Sequence, residues 1–105
     1  MPVRSKDRIR AKLQDDHTLV RILLSHPMHT GRGENEQGEL IPAEFIQDIR
    51  CWRNDIEVLA VKCGTATSRN PFFAFQLKGG ASGDKISLRW VDNMGAKGHS
   101  ETTVQ

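Results

Sequence analysis

Arg8-Ile9-Arg10-Ala11-Lys12-Leu13 alternates basic and apolar residues without a break. In an extended chain successive side chains point to opposite faces, so Ile9, Ala11 and Leu13 share one face while the three cations share the other. Helical geometry would scatter the same six residues around its axis. The stretch therefore reads as a half-buried strand, and its rhythm recurs. Val20, Ile22 and Leu24 alternate, as do Phe73, Phe75 and Leu77, and again Ile86, Leu88 and Trp90. Asn54-Asp55 has the chemistry of a two-residue hairpin turn; that register sets Cys51 opposite Val58 and Ile49 opposite Ala60, all on one face. Residues 97–104 are polar and Thr-rich, as suits a last, edge strand.

Turn signals divide these runs at Asp15-Asp16, at Asn54-Asp55, from Gly79-Gly80 through Gly83-Asp84, and at Asp92-Asn93 with Gly95. No stretch carries a long amphipathic helix. Short strands with a turn about every ten residues predict an all-β, immunoglobulin-like β-sandwich of about seven antiparallel strands. At 105 residues the chain suits one domain, 1–105, large enough for a real core.

Bulk properties narrow the function. The net charge of +2 arises from 15 basic and 13 acidic residues mixed along the chain, too weak a bias to argue for nucleic acid. No apolar run approaches the ~20 residues of a membrane span. The segment Met1-Pro2-Val3-Arg4-Ser5-Lys6-Asp7 lacks an apolar stretch, so no signal peptide of its own is expected. The two cysteines form neither a metal pattern nor a disulfide framework.

Residues 26–43 break the strand rhythm with a polar run bearing Gly31, Gly33 and Gly38. A connection this long is either a functional segment or a loose hairpin insertion. It opens on His26-Pro27-Met28-His29, whose imidazole and thioether donors invite a copper site using His26, Met28 and His29, with His17, Met94 and His99 as distant helpers. The plainer reading is that His26 ends a strand and Pro27, lacking an N–H, stops the ladder. Cys51 falls on the inward phase as a small core residue, and Cys63 closes a strand with only Lys62 nearby to activate it.

Two surface features are open to function. Arg4, Lys6, Arg8, Arg10 and Lys12 line one face of an extended segment, either as a solvated edge that resists aggregation or as a guide toward an acidic partner. Leu19 and Leu23 alternate against Val20 and Ile22, and Trp52, Leu59 and Val61 against Ile49 and Cys51. Apolar residues on both faces mark an interface, unless a bulge or twist returns them to the core. No catalytic triad, paired carboxylates or phosphate loop is visible, so no enzyme activity and no cofactor are expected.

Ile22-Leu23-Leu24-Ser25-His26-Pro27-Met28 with Thr30-Gly31, and Leu40-Ile41-Pro42-Ala43-Glu44-Phe45-Ile46, resemble the signature of the SoxZ family. So do Ser68-Arg69-Asn70-Pro71-Phe72-Phe73-Ala74-Phe75, Lys78-Gly79-Gly80, Gly83-Asp84 and Trp90-Val91-Asp92-Asn93-Met94-Gly95. The resemblance implies a non-catalytic sandwich subunit of the SoxYZ sulfur carrier of thiosulfate oxidation. SoxY would be its partner in a heterodimer or heterotetramer, carrying sulfur on a cysteine near the end of a Gly-rich arm. Other Sox enzymes would visit transiently. A periplasmic location follows, with export alongside SoxY. Apart from the resemblance, a subunit on its own is open to pairing with itself through the exposed apolar face, which would otherwise meet water. Neither cysteine here sits on a Gly-rich tail, as a carrier thiol would. Expected partner-binding residues are His26, Pro27, Met28, Asn70, Pro71, Phe72 and Trp52. His29 departs from the pattern, which has an acidic residue there, and Cys51 and Cys63 lie outside it.

Overall fold

The computed structural model describes residues 7–65, 67 and 69–105. Seven strands follow one another: β1 Arg8–Gln14, β2 His17–Leu23, β3 Ile46–Arg53, β4 Ile56–Lys62, β5 Phe72–Lys78, β6 Lys85–Asp92 and β7 Lys97–Thr103. They form a three-stranded sheet in the order β1-β2-β5 and a four-stranded sheet in the order β4-β3-β6-β7. All pairings are antiparallel. This is the immunoglobulin-like sandwich that the alternation predicts.

The core lies between the sheets and is built from the inward phases. Ala11, Val20, Ile22, Ile49, Cys51, Leu77, Ile86, Leu88 and Trp90 are buried in one cluster. At 7 to 8 residues, each strand contributes three or four of its side chains to one face. On the outer face of the smaller sheet, Arg8, Arg10 and Lys12 of β1 lie opposite Leu23, Arg21 and Leu19 of β2. Arg4 and Lys6 of the basic stripe lie outside the described residues.

The β3–β4 hairpin corrects the expected register. Asn54 and Asp55 both have positive φ, 51° and 70°, the mark of a type I′ turn. Next to the turn the pairing is as expected, with Arg53 opposite Ile56 and Trp52 opposite Glu57. A bulge between Cys51 and Trp52 then shifts the ladder, so Cys51 faces Leu59 and Ile49 faces Val61. Val58 is the extra residue. Leu59 and Val61 are thereby turned inward against the core, rather than Val58 and Ala60 alone pairing with β3. Their phase error is the bulge, not an outward patch.

One flank of the sandwich is closed and the other is open. Leu13 N–H donates to the Gln105 carbonyl at 2.8 Å, and Gln105 N–H to the Ala11 carbonyl at 3.1 Å, which ties β1 to the residues after β7. Among the described residues no backbone hydrogen bond joins β4 to β5, the edges on the opposite flank. Leu59, Val61, Phe73 and Phe75 pack against the core there yet remain only half-buried.

Residues 26–43 form an arm. Its legs are joined by isolated bridges, His29 with Glu44 and Glu34 with Leu40. Asn35 organises the tip, its Oδ1 accepting the N–H groups of Gln37 and Glu39 at 2.9 and 3.0 Å. Residues 32–40 are all exposed.

Candidate functional site

Three motifs distant in sequence meet at one end of the sandwich. His26 follows β2, Asn70 and Pro71 lead into β5, and Asp92 ends β6. The Asn70 side chain accepts the His26 N–H at 3.0 Å, and Asn70 N–H donates to the His26 carbonyl at 2.9 Å. Pro71 then accepts the Leu24 N–H, extending the β2–β5 ladder by one rung. Asn70 adopts φ 49°, a left-handed conformation that Asn tolerates better than most residues. Its identity is thus fixed by backbone shape and by the bond it accepts.

Both ring nitrogens of His26 are engaged. Nδ1 accepts the Met28 N–H at 2.9 Å, so the ring proton sits on Nε2, which donates to the Asp92 carboxylate at 3.0 Å. The ring stands edge-on to Trp90, with centroids 5.2 Å apart and planes at 89°. Asp92 uses its other oxygen to accept the N–H groups of Met94 and Ala96 at 2.9 and 2.8 Å, shaping the β6–β7 turn. Burial of this pair is tolerated because every donor and acceptor is matched.

The neighbouring bonds of Met28 and Asp7 bind one sheet to the other, and those of Asn93 tie the end of β6 to the start of β3 within the larger sheet. Met28 Sδ accepts the Ile46 N–H at 3.3 Å at the start of β3. Asn93 accepts the Phe45 N–H through Oδ1 at 2.7 Å and donates through Nδ2 to the Ala43 carbonyl at 3.0 Å. Asp7 accepts the Trp90 indole N–H at 2.9 Å and the Ser25 N–H at 2.7 Å. The corner is therefore a lock between the two sheets.

The same geometry bears on the copper alternative. Donor atoms of His26, Glu44 and Asp92 lie within 4.8 Å of one another. However, His26 has no lone pair to spare, since Nδ1 already accepts and Nε2 carries the proton. Met28 is buried with its sulfur accepting a backbone N–H. His17 and His99 stand on β2 and β7, away from the corner's loops. Of the residues named for copper, His26 and Met28 are engaged in hydrogen bonds, His29 pairs with Glu44 through its backbone, and Met94 donates its N–H to Asp92; nothing in this arrangement favours a copper site.

The expected partner-binding residues separate by exposure. His26, Met28 and Pro71 are buried, whereas Asn70 and Phe72 are exposed, Phe72 by 61%. Pro27 is intermediate. Trp52 lies elsewhere, on the outer face of the larger sheet, opposite Ser87 and with the Arg89 guanidinium 5.9 Å from its ring centroid. Ser68, part of the Asn-Pro-Phe motif, is outside the described residues. Burial pushes the Cys51 thiol up to about 11, against a smaller lowering by the Trp52 backbone. Cys63 is also raised, chiefly by burial, with the Thr67 hydroxyl acting the other way and a smaller push up from Asp48. Neither is an activated thiol.

A family model described as "Sulphur oxidation protein SoxZ" matches residues 6–103. The chain belongs to the SoxZ family. That membership gives this SoxZ-family protein a role in sulfur oxidation. No curated protein matches it. Among solved structures it is similar to the hypothetical protein PH1083 from Pyrococcus horikoshii OT3, with a TM-score of 0.62 and 13% identity. The match covers 99% of this chain and 90% of that one, and at such identity it speaks for the fold alone.

Sequence reasoning quoted His26, Asn70 and Asp92 within family motifs but missed what joins them. Asp92, Asn93 and Asp7 emerge as tying residues of the SoxZ corner. The available signal was an acid at a strand end followed by Asn-x-Gly, the composition of a side-chain-capped turn.

Proposed function

We propose that this chain is the non-catalytic partner subunit of the SoxYZ carrier in thiosulfate oxidation. It gives SoxY a folded surface to pack on, and it helps present the sulfur-bearing C-terminal cysteine of SoxY to the Sox enzymes. The observation that carries this reading, within a SoxZ family match, is the open flank of the sandwich. β4 and β5 are seven-residue edges with unpaired backbone groups, and Leu59, Val61, Phe73 and Phe75 line them half-buried. Such edges invite pairing with another chain or are covered by one. Phe72, at the start of β5, extends the same edge with an exposed ring. Among the residues expected to bind the partner, Phe72 and Asn70 are the most exposed, with Pro27 and Trp52 partly so. The reading also places the protein in the periplasm, exported with SoxY.

The experiment is to tag the chain, isolate it from thiosulfate-grown source cells, and take intact masses of whatever accompanies it. A stoichiometric small partner with a sulfur adduct on its C-terminal cysteine supports the proposal. Hydrogen exchange then locates the contact: β4 and β5 amides become protected in the complex. A chain that comes alone from such cells removes the carrier reading, and protection confined to other strands removes the open flank as its interface.

A further inference from the structure

The outer face of the three-stranded sheet is cationic and has no acid of its own. Across its rows lie Arg8, Leu23 and Phe72; then Arg10, Arg21 and Ala74; then Lys12, Leu19 and Gln76; and last Gln14, His17 and Lys78. Arg10 stands directly opposite Arg21, a like-charge pairing that weakens a sheet in isolation. Among the described residues none of Arg8, Arg10, Lys12, Arg21 or Lys78 makes an ion pair. Glu101, across the groove at the β1–β7 edge, is paired with His99. Leu23 and Phe72 are exposed by 40% and 61% between the cations. A ligand that fits this face carries several carboxylates and an apolar group, which is the chemistry of an acidic protein segment and not of a nucleic acid backbone.

The molecule presents such a segment itself. The arm holds Glu34, Glu36 and Glu39 with Leu40, which is 66% exposed. Against these three acids it has one cation, Arg32. None of the three glutamates is in an ion pair among the described residues. A two-stranded hairpin with so few bridges is marginal when left in water. At about 3.3 Å per residue, the leg from 29 to 35 reaches roughly 20 Å, close to the length of a seven-residue strand.

We propose that the chain self-associates by laying its acidic arm across the cationic sheet face of a second copy, with Leu40 seated among Leu23 and Phe72. Each contact joins unlike surfaces, so two copies exchanging arms give a closed pair. The contact does not depend on the carrier reading, since it is measured on this chain alone.

Sedimentation of the purified chain over a range of concentrations, at low and high salt, tests it. The expected result is association that weakens with salt. Arg10→Glu with Arg21→Glu, and separately Glu34→Lys with Glu36→Lys, each weaken it by roughly tenfold or more. These positions are exposed and bear no structural side-chain bond, and circular dichroism checks the fold of each variant. Mixing the two variants restores association, because one supplies an acidic face and the other a basic arm. A monomer at every concentration overturns the proposal. So does association that neither variant disturbs, or a mixture that stays monomeric.

Discussion

Asp92→Asn is the sharpest probe of the lock at the end of the sandwich. The amide keeps the carboxylate's shape, so only hydrogen-bond polarity changes. With Oδ1 still accepting from Met94 and Ala96, the new NH2 group points at His26 Nε2–H, donor against donor. Flipping the amide is worse, because the NH2 group then meets two backbone N–H groups. Moving the His26 proton to Nδ1 sets that N–H against the Met28 N–H. Every arrangement leaves at least one buried conflict. The loss is one charge-assisted bond, about 1.5–3 kcal/mol, together with an unsatisfied buried donor, about 1–3 kcal/mol. A loss of roughly 3–4 kcal/mol is expected, read by equilibrium urea unfolding with an unchanged m-value. In a His26→Leu background the same substitution costs far less, since the opposing donor is gone, and the coupling amounts to about 1.5 kcal/mol or more. A loss under about 1 kcal/mol, or sites that add without coupling, would refute the reasoning.

Three further outcomes are expected. Gly98→Ala places a methyl group into the Trp90 indole, which faces Gly98 across the β6–β7 ladder; it displaces the ring from Asp7, lowers stability by about 2–3 kcal/mol, and shifts the tryptophan emission. Because burial raises the Cys51 thiol from 9.0 to about 11, the folded state holds that proton more tightly than the unfolded one; stability is full below pH 9 and falls by roughly 2–3 kcal/mol as pH climbs to about 11, a slope that Cys51→Ala flattens in alkaline unfolding curves. The Asn54 side chain and then the Ala81 N–H hold the Asp84 carboxyl below its ordinary 3.8; this contribution is present above that value and is lost as pH falls through the folded pKa, so Asp84→Ala shows a shallower acid limb in thermal melts.

The strands were legible because period two is a local signal. Ile9, Ala11 and Leu13, or Ile86, Leu88 and Trp90, declare their face without reference to any partner strand. The bulge at Cys51 was not, because it is a property of two strands together: Leu59 and Val61 look out of phase until one extra residue, Val58, is counted on β4. Likewise the motif residues were visible as motifs, but His26 lies 44 positions from Asn70 and 66 from Asp92. No spacing along the chain announces that bond. The cationic face was half visible. Arg8, Arg10 and Lys12 share a strand, but Arg21 joins them only once the register of β2 is known.

The corner also has a kinetic meaning. Its bonds close loops of 44, 50 and 66 positions, and the longest, His26 to Asp92, crosses from one sheet to the other, so it forms only when strands of both sheets already stand. Interactions made that late are expected to contribute little to the rate-limiting step of folding, which a φ-value near zero for Asp92→Asn checks. Weakening them leaves the refolding rate nearly unchanged and speeds unfolding in proportion. The buried His26–Asp92 pair is therefore expected to set how long the folded subunit lasts, and the hairpins that precede it to set the speed at which it forms.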